Sequence, residues 1–341
     1  MKNKNKILVT GCAGFIGYHL TKALLSQGFD VVGIDNLNDY YDPQLKMDRL
    51  DELDIYVNEN SIQNRYHFFK QDISNLDALR KIFEQFNFDL VFNLAAQAGV
   101  RYSLENPSTY IKSNLEGFAN ILECSRHNKI KHLIFASSSS VYGMNVKQPF
   151  SVSDSTDYPV SLYAATKKSN ELMAFSYSHL FKIPCTGLRF FTVYGPFGRP
   201  DMAYYKFASA ISENRTIELF NAGKMKRDFT YIDDIIDGML KVMDKAPAIK
   251  SFNATYAEAP YRLFNIGNNS PVKLSDFIET IELTVGRKAI IRNLPMQPGD
   301  VPETYADIDD LFEVIKFKPS TKIREGIKKF VDWLHEYNNG T

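Results

Sequence analysis

Three groups of residues have the types and spacing for acid–base and redox chemistry on a bound nucleotide. Tyr163-Ala164-Ala165-Thr166-Lys167 sets a phenol and an ammonium four residues apart, which on a helix puts both on one face. A free tyrosine titrates near 10 and is a poor base at neutral pH, but neighbouring positive charge favours the phenolate and makes a competent acid–base. Upstream, Ser137-Ser138-Ser139-Ser140-Val141-Tyr142-Gly143 leaves a predicted strand at its carboxyl end, where ligands collect in open α/β sheets. Hydroxyls there can hold a substrate hydroxyl as it loses its proton. Neither pattern is specific alone: the first also describes an exposed helix pair and the second a serine-rich loop.

The third group narrows the choice. Gly11-Cys12-Ala13-Gly14-Phe15-Ile16-Gly17 joins the first predicted strand to the first predicted helix. Its glycine spacing permits a tight turn, close approach of a pyrophosphate and close packing of helix on strand. Asp35 closes the second strand 18 residues after Gly17, where a carboxylate accepts bonds from the adenosine ribose. It also repels a 2′-phosphate, so NAD is the expected cofactor rather than NADP. Asp72, at the end of the third strand, is a candidate to meet the adenine or to cap the following helix.

These side chains need a frame, and the pattern supplies one. Lys6–Thr10, Asp30–Asp35, His67–Gln71, Asp89–Ala95, His132–Ser137 and Pro184–Phe191 read as strands, alternating with helices near 15–27, 75–86, 107–128 and 163–181. Such alternation predicts an α/β fold, a Rossmann-type doubly wound parallel sheet. The segment 39–65 is long for a connection and is expected to contain a helix lying over the site. Beyond 190 the pattern becomes irregular. Helices are expected near 202–213, 233–244, 274–286 and 321–337, with strands at Thr216–Phe220 and Tyr261–Ile266. The expected division is an NAD-binding domain over 1–190 with returns near 231–268, and a smaller α/β substrate domain from 191–230 and 269–341.

Composition removes other classes. Forty basic residues balance forty acidic ones, which leaves no electrostatic footprint for nucleic acid or an anionic membrane. Three well-separated cysteines, Cys12, Cys124 and Cys185, form neither a disulfide framework nor a zinc pattern and suit a reducing cytosol. Six histidines show no ligand spacing, so no metal is expected. No stretch approaches the roughly 18 apolar residues of a spanning helix. The apolar run at Ile7-Leu8-Val9 is too short for a signal peptide. A cytoplasmic location is expected.

The sequence resembles the extended short-chain dehydrogenase/reductase family over essentially its whole length, and more narrowly the UDP-glucuronate 4-epimerases. Four blocks carry the resemblance: Asp35-Asn36-Leu37-Asn38-Asp39-Tyr40-Tyr41, Leu94–Ser103, Thr192–Ala203 and Arg227–Asp234. Asn93 departs from the histidine more usual before Leu-Ala-Ala. The resemblance implies an NAD regenerated in each turnover and a transient 4-keto sugar that is rotated and reduced on its other face. Tyr163 would handle the C4 hydroxyl proton, Lys167 would bind the nicotinamide ribose, and Ser138 would match the family's catalytic Ser/Thr. Phe15, Ile16, Asn36, Ile73, Leu94, Ala95, Ala96, Phe190 and Val193 would join Gly11, Gly14, Gly17, Asp35 and Asp72 around the cofactor. It further implies a homodimer through helices 107–128 and 163–181, and a role in nucleotide-sugar metabolism for polysaccharide biosynthesis.

Among such relatives, dehydratases place an Asp-Glu pair where this chain has Ser139 and Ser140, which disfavours dehydration. A 4-keto glucuronate is a β-keto acid, so an epimerase must hold its carboxylate out of the decarboxylating geometry. Ser138, Ser139, Ser140 and Thr192 are candidates to do so through charge-assisted hydrogen bonds. Arg101, Arg199 and Arg227 are candidates for the diphosphate, or equally for salt bridges. Asp300, in Gly299-Asp300-Val301, resembles a uridine-binding turn. The alternatives are a UDP-glucose/galactose or N-acetylated 4-epimerase, a UDP-glucuronate decarboxylase, and a dinucleotide-sensing protein without turnover.

Overall fold

The computed structural model describes residues 5–249, 258–295 and 303–340. Six strands fill the first part of the chain: β1 (Lys6–Thr10), β2 (Asp30–Asp35), β3 (Tyr66–Lys70), β4 (Leu90–Asn93), β5 (His132–Ser138) and β6 (Cys185–Phe190). Later come β7 (Thr192–Tyr194), β8 (Thr216–Phe220), β9 (Lys226–Tyr231), β10 (Tyr261–Ile266), β11 (Pro271–Lys273), β12 (Ile290–Leu294) and β13 (Glu303–Thr304). The helices used below are α1 (Phe15–Ser26), α2 (Gln44–Glu59), α3 (Leu76–Phe86), α4 (Tyr102–Glu105), α5 (Pro107–Tyr110), α6 (Gly117–His127) and α7 (Leu162–Phe181).

Seven strands form one sheet in the order β10-β6-β5-β4-β1-β2-β3. β1 pairs in parallel with both β2 and β4, β2 with β3, and β4 with β5. The order reverses at β1, and a doubly wound sheet opens its ligand crevice at such a switch point. β1 and β4 are buried almost without interruption, as strands covered on both faces must be. Leu8, Val91, Phe83, Phe118 and Phe135 belong to one core cluster of fully buried residues.

The chain divides into two compact units. One comprises 1–143, 155–189 and 239–264 and contains nearly all of the sheet; the other comprises 144–154, 190–238 and 265–341. In the second unit β9 pairs with β7, β11 and β13, and β8 pairs with β12. Its core includes Phe229 stacked on Phe277 at 4.0 Å. The buried Asp228 carboxylate is held by the main-chain N–H groups of Asn268, Asn269 and Ala306. Trp333, the only tryptophan, packs on Phe197 at 5.0 Å between ring centres.

Two elements differ from expectation. The strand expected over Asp89–Ala95 stops at Asn93: Leu94 N–H makes the last main-chain bond to β1, at the Thr10 carbonyl (3.2 Å), and Ala95 N–H bonds the Thr10 hydroxyl (3.2 Å) instead of main chain. The helix expected over 107–128 is interrupted by a π-helical stretch, Ile111–Glu116. That widened turn accommodates outside bonding: Asn170 Nδ2 donates to the Asn114 carbonyl at 2.6 Å. π-Turns of this kind cluster at functional sites.

His132 yields a stability prediction. It is fully buried on β5, with its ring nitrogens 3.2 Å from the Met243 carbonyl and 2.8 Å from the Thr186 hydroxyl. Burial pushes its pKa down from 6.5 to about 4. The unfolded chain therefore binds this proton first as the pH falls. The neutral ring's contribution is complete above 6.5 and is lost between 6.5 and 4, with about 2 kcal/mol gone at pH 5. His132→Asn is expected to reduce the stability lost between pH 7 and pH 5 by about that amount, measured by urea unfolding at both pH values. An unchanged pH dependence would contradict it.

Candidate active site

The site begins with the turn after β1. Gly11 has φ +71° and its N–H donates 2.7 Å to Ile34 O on β2, while Gly14 N–H closes the turn on Gly11 O at 2.9 Å. A Cβ on Gly11 would lie 2.8 Å from the Ala95 nitrogen, and one on Gly17 would lie 2.0 Å from the Gly11 carbonyl oxygen. Both obstacles are main chain and cannot turn aside. No side chain caps the N-terminus of α1, so the first-turn N–H groups, among them those of Phe15 and Ile16, keep their capacity for an anion. Leu94, Ala95 and Ala96 are half-buried at the end of β4, with Ala95 against Gly11. Asn93 is buried and accepts the Thr10 hydroxyl at 2.8 Å.

Asp35 is 7% exposed at the end of β2, accepting Ala13 N–H at 3.2 Å and Leu37 N–H at 2.9 Å. Each oxygen retains a further lone pair for a ribose hydroxyl. Asn36 Nδ2 donates to Asp72 Oδ2 at 3.1 Å. The other Asp72 oxygen receives the Ser74 N–H and hydroxyl at 2.9 and 2.8 Å. Burial pushes the Asp72 carboxyl up, but these hydrogen bonds outweigh it and leave it below the ordinary range. Asp72 does not cap α3; Asn75 does, accepting Ala78 N–H at 3.1 Å. Ile73 is buried against Gly117, where a Cβ would come within 2.6 Å of it.

Sequence reasoning missed two buried cations on α2, one near Asp35 and one on the glycine turn. Lys46 and Arg49, one helical turn apart on α2, are 5% and 0% exposed. Lys46 Nζ donates to the Asn38 side chain and carbonyl at 2.7 and 3.0 Å and lies 3.9 Å from Asp35. Arg49 donates to the Ala13 carbonyl at 2.8 Å and to Tyr41 Oη at 2.7 Å, bracing the glycine turn. The residue types in Asn38–Arg49 were visible; their helical phase toward β2 was not.

The candidate acid–base residues lie on β5 and α7. Ser161 caps α7, accepting Ala164 N–H at 3.1 Å, and the helix carries Tyr163 and Lys167 in its first two turns. Lys167 is 4% exposed, and its Nζ donates to the Ala136 carbonyl at 2.9 Å. Burial lowers its pKa to about 8. Tyr163 is half-buried with its ring 6.1 Å from that of Tyr110. Ser138 is 8% exposed and caps the short turn Ser139–Tyr142, accepting Ser140 N–H at 3.2 Å. Ser139 and Ser140 are half-buried in that turn. Ser137 is committed elsewhere: its hydroxyl donates 2.6 Å to the buried Glu171.

Asn114 in the π-turn is a further residue that sequence reasoning missed. Its side chain accepts Gln97 N–H at 2.8 Å and donates to Gln97 O at 3.1 Å and to Thr166 Oγ1 at 3.0 Å. It thereby ties the loop after β4 to α7 between Tyr163 and Lys167. Only the irregular turn could have signalled this, and the side-chain pattern of 107–128 reads as regular helix.

The second unit holds the remaining candidates. Phe190 and Val193 are buried, and Thr192 is half-buried, paired with Phe229. Arg199 forms a bidentate pair with Asp201 at 3.0 and 2.6 Å, so the salt-bridge alternative accounts for its fork in this structure. Arg227 donates to the Lys226 carbonyl at 2.8 Å. In the first unit, Arg101 is exposed at the start of α4. Asp300 lies outside the described residues. Among the described residues no cluster of three His, Cys, Asp or Glu could hold a metal, and no helix is long and apolar enough to cross a membrane.

The pattern of the NAD dependent epimerase/dehydratase family matches residues 7–267. Protein CapI of Staphylococcus aureus is 55% identical over 339 residues, covering 97% of this chain and 99% of the relative. UDP-glucuronate 4-epimerase 4 of Arabidopsis thaliana is 47% identical over 344 residues, covering 98% of this chain and 76% of the relative. Among solved structures, UDP-glucuronic acid 4-epimerase from Bacillus cereus, in complex with UDP-glucuronic acid and NAD, superposes with a TM-score of 0.83 at 33% identity. That match covers 97% of this chain and 99% of the other.

Proposed function

This chain belongs to the NAD dependent epimerase/dehydratase family, and from that premise we propose that it is a UDP-glucuronate 4-epimerase, interconverting UDP-glucuronate and UDP-galacturonate. The observation that carries the chemistry is the buried Lys167, bonded to the carbonyl of Ala136 two residues before Ser138, with Tyr163 one helical turn away. The uronate as substrate is supported by the named activity of the Arabidopsis and Bacillus relatives.

The glycine turn, the open N-terminus of α1 and the Asp35 carboxylate fit an adenine dinucleotide; when bound, NAD supplies a hydride acceptor and donor that is restored within each turnover. Tyr163 Oη takes the proton of the C4 hydroxyl and returns it after the sugar has presented its other face. The ammonium of Lys167 favours negative charge on the phenol and donates to a ribose hydroxyl. Ser138 orients the C4 oxygen. The carbonyl sugar so formed is transient. Because it is a β-keto acid, its carboxylate must be held, and Thr192 together with Ser139 and Ser140 is assigned to that task. Arg101, Arg199, Arg227 and Asp300 remain assigned to the UDP portion, Arg199 by exchanging its Asp201 partner for a phosphate. The division of labour between an NAD-binding domain and a UDP-sugar-binding domain is part of the same reading.

Thr192→Val tests the substrate assignment. A hydrogen bond to a charged acceptor is worth roughly 1.5–3 kcal/mol. The variant should therefore lose about 10- to 100-fold in kcat/KM on UDP-glucuronate, much less on UDP-glucose, and release carbon dioxide with a UDP-pentose by-product. Equal losses on both substrates and no pentose would place the carboxylate elsewhere. A homodimer through the helical segments 107–128 and 163–181 and a cytosolic location complete the proposal. Light scattering should give twice the 39.0 kDa chain mass; a monomer at micromolar concentration, or recovery with the membrane fraction, would contradict the respective point.

A further inference from the structure

A second charged cluster lies on the face of α7 that carries the acid–base pair. Glu171 follows Lys167 by four residues and Tyr163 by eight, so one stripe of the helix carries all three. Glu171 Oε1 accepts Ser137 Oγ at 2.6 Å and Arg189 Nε at 2.8 Å; Oε2 accepts Arg189 Nη2 at 2.8 Å. Both members of the ion pair are 2% exposed. Arg189 comes from β6, with its guanidinium 4.9 Å from the ring centre of Tyr142. Tyr261 Oη donates to the Glu171 carbonyl at 3.1 Å.

A buried ion pair is a weak source of net stability, since an apolar pair of similar volume is often as good. Its placement here has another consequence. A glutamate four residues from a lysine on a helix is within reach of it, yet Lys167 Nζ bonds the Ala136 carbonyl while Glu171 bonds Arg189 and Ser137. The bidentate Arg189 fork, with Ser137, engages both oxygens of the one carboxylate on that stripe. Ser137 is also the link between Ala136, whose carbonyl receives Lys167, and Ser138.

We propose that Arg189 and Glu171 act as a positioning pair for the reaction: Arg189 keeps the Glu171 carboxylate off Lys167, and Glu171 pins through Ser137 the strand end that carries Ser138. This inference rests on the epimerase reading above, and its test has one readout that does not depend on turnover.

Lys167 is titrated by NMR in lysine-labelled protein, with Lys167→Met for assignment, in parallel with kcat and KM on UDP-glucuronate. The other titratable groups packed on the pair, Tyr142 and Tyr261, and Tyr163 on the same stripe, are unchanged throughout. In Arg189→Met the freed carboxylate turns to Lys167. Its midpoint should rise by about one unit or more, and kcat should fall about 30-fold with KM within about threefold. The double variant Glu171→Met/Arg189→Met removes both charges and should return the midpoint to near the wild-type value. A purely structural ion pair would change the unfolding midpoint and leave the Lys167 titration where it was, and that result overturns the proposal.

Arg189→Met leaves a buried carboxylate unpaired and can fail to fold, so Ser137→Ala is the second variant. It keeps the ion pair, should lower kcat about 10-fold, should lower the urea midpoint as the loss of a charge-assisted hydrogen bond does, and should raise the Lys167 midpoint by about half a unit; Ser137→Thr should restore all three. An unmoved Lys167 midpoint in Ser137→Ala overturns the proposal whether or not the other variant folds. Absence of turnover by the wild type would count against the epimerase reading, and the Lys167 titration would still decide this inference.

Discussion

Tyr163→Phe is expected to lower kcat by about 10³-fold while the protein still folds and still binds NAD. The change removes one oxygen from a half-buried ring that packs on Tyr110 through its edge and face, so the packing survives. What is lost is the phenol assigned to proton transfer; Lys167 Nζ, which donates one N–H to the Ala136 carbonyl and keeps two for the assigned ribose hydroxyl, has no acceptor lone pair while charged to replace it. Positioned acid–base groups contribute about 10² to 10⁴ in rate, and here the same group serves both directions of proton movement. The measurement is kcat for UDP-galacturonate formation beside the NAD content of the purified variant. A loss below about tenfold with full NAD would remove Tyr163 from its role.

Gly17→Ala is expected to have the second large effect, on the cofactor rather than the chemistry. The added Cβ would fall 2.0 Å from the Gly11 carbonyl oxygen, and that carbonyl also closes the turn through Gly14 N–H. Relief requires α1 to move away from β1, which carries the first-turn N–H groups away from the pyrophosphate position. NAD affinity should fall at least about 100-fold, read by calorimetric titration, with the same protein showing a lower thermal midpoint. Two comparisons sharpen the expectation. At Gly14 the Cβ would sit 3.0 Å from the same oxygen, so Gly14→Ala should cost less. At Gly286, with φ +76° and open space around it, alanine meets only the backbone strain of about 1 kcal/mol and should leave NAD binding intact. Wild-type affinity in Gly17→Ala would mean that the turn does not hold the dinucleotide.

Both predictions rest on features legible in the residues themselves. The glycine turn, the strand-end place of Asp35 and the Tyr163/Lys167 interval on one helix are legible locally, because a turn needing positive φ and a helix face of period four are short-range properties. The sheet was legible for the same reason: uninterrupted apolar runs such as Ile7–Val9 admit few other homes. What escaped was long-range or irregular. Lys46 and Arg49 reach Asp35 and Ala13 only because α2 folds back with a particular phase, which the polar-rich segment 39–65 does not announce. The π-turn at 111–116 and its Asn114 network depend on Asn170 reaching a main-chain carbonyl from another helix. Ser137 looked equivalent to its three serine neighbours, and Glu171 on the adjoining helix separates it from them. In the second unit, strands β7, β11 and β13 span only two or three residues, and the longer β9 takes its partners from distant parts of the chain, so these segments carry little periodic signal. Arg199 illustrates the converse: its residue type suits a phosphate, and its Asp201 partner two residues on is what the fold supplies.

The central claim is that the sugar's own C4 hydrogen leaves and returns on the opposite face within one active site. The most direct measurement is incubation of the purified protein with UDP-glucuronate deuterated at C4, in ordinary water and without added reductant, followed by NMR of the products. The account predicts UDP-galacturonate that retains the deuterium at C4. Loss of the label to solvent, or UDP-glucuronate recovered unchanged, would contradict it.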